Sequence, residues 1–145
     1  MPYLTLQVTN GPVMDVRIGV SQPRKDALQK AGQVVPPDAI IRALVDTGAS
    51  CTCVDPDILK QLQLTPKGKA PTHTPSTGGV AVEQDVYDVS LSLIHPHSLS
   101  LTLRVLPVLS AHLSVQGIHA LIGRDILDRC LLVYDGDTGI FTLAF

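Results

Sequence analysis

Asp46, Thr47 and Gly48 are the one short run in the chain whose types and surroundings could do chemistry. The residues before it, Ile40-Ile41-Arg42-Ala43-Leu44-Val45, read as a buried strand driving straight into a carboxylate. A desolvated carboxylate costs several kcal/mol unless it is partnered. Thr47 brings a hydroxyl that can donate or accept, and Gly48, without a Cβ, lets a second backbone or a substrate come close. The run therefore reads as a carboxylate held in a tight turn, placed to give or take a proton. The same triplet recurs at Asp137-Thr138-Gly139, between Tyr134-Asp135-Gly136 and Ile140-Phe141-Thr142-Leu143. There it is a hairpin turn between two strands, with too little chain after it to build a site.

The elements that must position Asp46 follow from the apolar pattern. Residues 3–8 and 13–20 alternate around Asn10-Gly11-Pro12, which predicts a hairpin. Residues 21–38, with Pro23, Gly32, Pro36 and Pro37, form a polar stretch with one or two helical turns at residues 25–30. This stretch is either a plain surface loop or one that lines a substrate site. Thr52-Cys53-Val54 reads as a short strand, and Asp55-Pro56-Asp57 as the cap of a helix reaching about Leu64. Residues 80–93 alternate long enough to be one arm of a hairpin, with Ser76-Thr77-Gly78-Gly79 at its tip. Leu99, Leu101, Leu103 and Val105 share one face of a further strand. Leu121-Ile122-Gly123 should be a strand ending near the Asp turn, followed by a short helix over residues 125–130. Helices do not alternate with the strands, so the class is all-β.

Composition narrows the function. The 145 residues carry a net charge of −2, which provides no basic stripe for nucleic acid. No apolar run approaches the roughly 20 residues that span a bilayer, and the start has no positively charged leader region. The expectation is one soluble domain over residues 1–145 in a reducing, cytoplasmic compartment, with neither membrane nor nucleic acid as partner. Cys51, Cys53 and Cys130 are odd in number and read as small buried thiols. His95-Pro96-His97 with a Cys-x-Cys pair matches no familiar zinc spacing, so no metal and no cofactor is expected.

The turn at residues 45–50 together with Ala120-Leu121-Ile122-Gly123-Arg124-Asp125-Ile126-Leu127 resembles the paired elements of the retropepsin family of aspartic proteases. Pro2-Tyr3-Leu4-Thr5-Leu6 resembles the family's N-terminal strand, Thr77-Gly78-Gly79-Val80 its flap tip, and Thr142-Leu143-Ala144-Phe145 its C-terminal strand. The resemblance implies a small, closed, barrel-like β fold with a flap hairpin and one short C-terminal helix. It also implies that Asp46 is catalytic, that Thr47 locks two copies of the loop together, and that Gly48 lies beside substrate backbone. Ala49, Ser50, Thr77, Gly78, Gly79, Val80 and Ile122 would then line the substrate, with Gly123, Arg124 and Asp125 in support. Many retroviral enzymes carry Asp where this chain has Ser50, and that Asp pairs with the residue matching Arg124. Here Arg124 needs another acceptor: Asp125, Asp128 or a carbonyl.

Hydrolysis of an amide by water needs a base and an acid together, and two carboxylates sharing one proton supply both. The chain offers one such turn, so a second Asp46 must come from a second copy related by a two-fold axis. The expected function is an aspartic endopeptidase, a homodimer acting on an extended peptide. A catalytically inactive peptide-binding or dimerisation module on the same fold is the alternative.

Overall fold

A computed structural model provides the structure of residues 1–73 and 78–145. The strands are β1 (Tyr3–Gln7), β2 (Val13–Val20), β3 (Ala39–Val45), β4 (Cys53–Val54), β5 (Gly68–Thr72), β6 (Val82–Leu93), β7 (Leu101–Ser110), β8 (Ala120–Ile122), β9 (Leu131–Asp135) and β10 (Ile140–Ala144). Three short helices interrupt them: α1 (Gln22–Lys30), α2 (Pro56–Gln61) and α3 (Arg124–Leu127). Strands β2, β3, β8, β4, β7 and β6 pair in that order, and β6 returns to β2, which closes a barrel with β5 added outside β6. Closure satisfies main-chain groups that an open sheet would leave at its edges. The fold is the expected all-β barrel, with α1 and α2 added to the short C-terminal helix.

Alternation fills the barrel. Val16 and Ile18 of β2, Ala43 and Val45 of β3, Val89, Leu91 and Leu93 of β6, and Ile122 of β8 are buried in one cluster. Leu59 and Leu62 enter it from α2 and its end, and Ile126 from α3. Phe141 and Leu143 of β10 join the same cluster from outside the barrel. Both are fully buried. Large side chains buried this completely stabilise by about 2–3 kcal/mol each.

Four local expectations change. Residues 3–8 and 13–20 do not pair with each other: Asn10 and Gly11 take positive φ of 54° and 102°, and the chain parts there. β1 pairs instead with β10, and β2 with β3 and β6. Apolar alternation does not specify a partner, and the turn at residues 9–12 lets two strands leave for different sheets. In β7, Val105 is 47% exposed although Leu101 and Leu103 face inward. The pairing with β6 slips between Val89–Leu106 and Leu91–Leu103, so β7 carries one extra residue, and that bulge turns Val105 outward. The helix after Gly123 is shorter than expected, ending at Leu127. α1, by contrast, is longer, because the Ser21 side chain caps it and Pro23 lies in its first turn.

Asp55 ties two elements together. Its carboxylate accepts the N–H of Asp57 at 3.0 Å, capping α2, and those of Leu113 and Ser114 at 2.8 Å each. The residue is buried. Burial alone would push its pKa up, but these hydrogen bonds to the ionised form outweigh it and hold the carboxyl below the ordinary carboxylate range. The folded value is thus lower than the unfolded one. The stabilisation is complete above about pH 4, the unfolded value, and is lost as pH falls through the folded value. Asp55→Ala should lower stability by about 2–4 kcal/mol, as a lost cap and two orphaned N–H groups would. Chemical denaturation at pH 7 and pH 3 checks this: the gap between parent and variant should be smaller at pH 3.

Candidate active site

The site is built where β8 inserts between β3 and β4. β3 runs parallel to β8, with Leu44 opposite Leu121 and Val45 opposite Ile122. β4 runs antiparallel to β8, with Cys53 opposite Leu121. The loop at residues 46–52 therefore leaves one neighbour of β8 and returns to the other. Its start is fixed by Asp46 N donating to Ile122 O at 3.0 Å, and Ala49 N donating to Asp46 O at 3.2 Å.

A side-chain network clamps this loop to the start of α3. Thr52, fully buried, donates from its N–H and its hydroxyl to the two carboxylate oxygens of Asp125 at 2.9 and 2.8 Å. The same hydroxyl accepts the N–H of Gly123 at 3.2 Å. Arg124 N donates to Ala49 O at 2.9 Å. At Gly123 a Cβ would sit 2.5 Å from the carbonyl carbon of Cys51, so only glycine lets these backbones approach. Asp125 also accepts the N–H of Ile126 at 2.9 Å. Each buried polar group finds its partner inside the clamp, which makes the loop rigid.

Asp46 stands at the end of this scaffold. Leu44 and Asp46 share one face of the chain, while Ala43 and Val45 point into the core. The carboxylate is half-buried and accepts the N–H of Gly48 at 2.9 Å. A Cβ on Gly48 would lie 3.1 Å from that oxygen, so glycine keeps the turn tight. Thr47, Gly48 and Ser50 are exposed around it and Ala49 is half-buried. The acceptor of Arg124 is a carbonyl: Nη1 donates to Thr47 O at 2.8 Å. That bond does from the neighbouring segment what a carboxylate at position 50 would do.

Among the remaining residues named from sequence, Gly78, Gly79 and Val80 lie exposed at the tip beyond β5 and β6, whereas Thr77 lies outside the described residues. Ile122 has no exposed surface and packs in the barrel core. Alternation along β8 turns Leu121 instead toward the Asp46 side, where it packs with Leu44, Cys53, Leu113 and Ile118. Register with Leu44 was the signal that could have found Leu121. It becomes readable only when the strand pairing is known.

Cys53 lies close by and is no nucleophile. Burial foremost, with Cys51, Asp125 and Asp46 adding to it, pushes its thiol up to about 12, so it stays protonated. Among the described residues no three His, Cys, Asp or Glu side chains converge as metal ligands. No described helix is long and apolar enough to cross a membrane.

Comparison with known proteins places this geometry. Residues 37–126, from the start of β3 to the middle of α3, match the aspartyl protease family. Among curated proteins nothing matches the chain. The crystal structure of a retropepsin-like aspartic protease from Rickettsia conorii superposes with a TM-score of 0.57 at 14% identity, covering 99% of this chain and 91% of that one. At that identity the likeness establishes the fold. The family match spans the loop bearing Asp46, the hairpin arms and the clamp on Thr52, and the chain belongs to the aspartyl protease family, with a retropepsin-like fold.

Proposed function

We propose that the protein is an aspartic endopeptidase whose active form is a two-fold homodimer, with Asp46 of each subunit contributing one carboxylate to a shared pair. The observation that carries this reading is the setting of Asp46. It is a half-buried carboxylate on a turn with a single N–H bond from Gly48, on a loop otherwise fixed by the clamp. A structural turn carboxylate would be saturated by the protein's own donors, as Asp55 is by three N–H groups. Asp46 keeps lone pairs for water and for a second carboxyl group.

In such a pair one carboxylate takes a proton from water as the other protonates the carbonyl oxygen of the scissile amide. The tetrahedral intermediate then collapses with expulsion of the amine, which takes up a proton. Two close carboxylates titrate as a unit, and the working form holds one proton between them. In this reading one chain presents only half of the cleft. Substrate would lie extended across the two halves, its backbone paired to the loops and tips, with apolar side chains against Leu44 and Leu121. Val80 and Val82, 68% and 48% exposed near the hairpin tip, offer further apolar surface.

Asp46→Asn should lower peptide cleavage by at least about 1000-fold, since one member of the acid–base pair is lost. Circular dichroism and dimer affinity should be unchanged. A variant that still cleaves at the parent rate would overturn the dyad, and one that cleaves nothing from the start, parent included, would favour a peptide-binding module. The rate should fall toward alkaline pH as the shared proton leaves, and a rate still rising above about pH 8 would point to other chemistry.

Gly78 and Gly79 adopt φ of 61° and 83°, where a β-branched residue is strained. Replacing both by Val should cut kcat several-fold and leave the dimer intact. If the double variant turns over at the parent rate, the tip does not close on substrate.

A further inference from the structure

The terminal strands do not wait for a partner. β1 pairs along its length with β10 of the same chain, Tyr3 opposite Ala144 through Gln7 opposite Ile140. β10 in turn pairs with β9, Leu131 opposite Ala144 through Asp135 opposite Ile140. The result is a three-stranded sheet in the order β1-β10-β9 with two outer edges. Within this chain the terminal strands satisfy one another, which leaves the edges of β1 and β9 to meet a second copy.

The phase of the hydrogen bonds tells the two edges apart. Phe145 N donates to Pro2 O and Val8 N to Gly139 O, both at 2.9 Å. Bonded pairs in an antiparallel ladder alternate, so Leu4 and Leu6 bond Leu143 and Phe141. Tyr3, Thr5 and Gln7 then aim their main-chain groups at the outer side of β1, and Leu131, Val133 and Asp135 spend theirs on β10. On β9 it is Leu132 and Tyr134 whose N–H and C=O groups face outward. The β1 edge is blocked where it begins: His95 Nε2 lies 3.1 Å from Tyr3 O. Its other ring nitrogen, Nδ1, accepts the N–H of His97 at 3.1 Å, so Nε2 carries the proton and donates to that carbonyl. The β9 edge has no such cover among the described residues, and Leu131, Val133 and Tyr134 on it are 58%, 50% and 54% exposed. Long, apolar, uncovered edges are where strands add.

We infer that the subunits of the dimer join edge to edge through β9, antiparallel across the two-fold axis, making one continuous sheet of six strands from two copies. The need for a second copy is taken from the dyad reading above; the choice of edge comes from the sheet itself. The buried faces, with Leu132 of β9 and Phe141 and Leu143 of β10, must stay on one side, so the axis stands normal to the sheet and residues of equal parity face each other. An axis passing at Leu132 sets Leu131 beside Val133 of the partner subunit. By symmetry this apolar contact is made twice.

Proline separates this from other docking modes, because it is tolerated on an edge strand where its missing N–H faces outward. Tyr134→Pro should leave the thermal midpoint of the monomer within a few degrees and weaken the dimer on the order of 100-fold by sedimentation velocity. Cleavage should be lost in parallel. Thr5→Pro, the same change on the outer edge of β1, should leave the dimer intact. Hydrogen exchange of the parent gives a readout independent of any variant's folding: the Leu132 and Tyr134 amides should be protected only at concentrations where the dimer forms. A Tyr134→Pro chain that still dimerises overturns the assignment, as does loss of the dimer in Thr5→Pro or fast exchange of those two amides in the dimer. Asp46→Asn should dimerise like the parent. If instead a monomeric Tyr134→Pro chain cleaves at full rate, the edge assignment stands and the dyad reading fails.

Discussion

Thr52 is the hinge on which the molecule's arrangement turns. One buried residue, in contact with both carboxylate oxygens of Asp125 and with the N–H of Gly123, joins a loop to a segment more than half the chain away. That contact adds to the pairing of β8 with β3 and β4 and to the burial of Ala120 and Ile122, since a strand of three residues brings little pairing energy of its own. With it, the barrel closes and the loop at residues 46–52 is held from both ends. Hydrogen bonds to a charged acceptor in a site shielded from water are the stronger kind, worth about 1.5–3 kcal/mol each. Thr52 is therefore a positioning residue: fully buried, it braces the loop that carries Asp46.

The chain handles its one conspicuous departure from the retroviral pattern economically. Ser50 leaves the loop without a carboxylate for Arg124, and the guanidinium turns to the carbonyl of Thr47 instead. A carbonyl is neutral, so the charge of Arg124 is less compensated than by an ion pair. Its neighbourhood is correspondingly more positive. The loop is still braced, through main chain rather than side chain, and becomes less sensitive to what stands at position 50.

How much of this was legible in the sequence depends on the range of the interaction. Asp46-Thr47-Gly48 could be read because turn chemistry is local, and so could the cap at Asp55, the capped helix after it and the hairpin at Asp137-Thr138-Gly139. In that hairpin Asp135 accepts the N–H groups of Asp137 and Thr138, at 3.1 Å each. Alternation gave the strands but not their partners: the β1–β2 pairing failed because two amphipathic strands joined by a turn look the same whether or not they pair. Ile122 was placed on the wrong face for a related reason. In a strand of three residues the alternation has no phase until register with Leu44 and Val45 supplies it. Val105 was lost to a bulge, which leaves no mark in the apolar pattern. The partners of Thr52 and Arg124 lie 73 and 77 residues away along the chain, beyond any window in which composition or period can speak.

The pairing of β1 with β10 joins the two ends of the chain, with Phe145 bonded to Pro2. Proteins emerge from the ribosome N-terminus first, so β1 is made early but has no partner until nearly every residue has followed. Leu4 and Leu6 stay uncovered until Phe141 and Leu143 arrive, and contacts of such sequence separation are slow to form. The barrel strands are complete by Ile122, although Phe141 and Leu143 finish the core they share. The order of synthesis thus gives these strands a timetable: the strands that carry the Asp46 loop are made first, and the sheet that joins β1 to β10 can form only once β10 has been made.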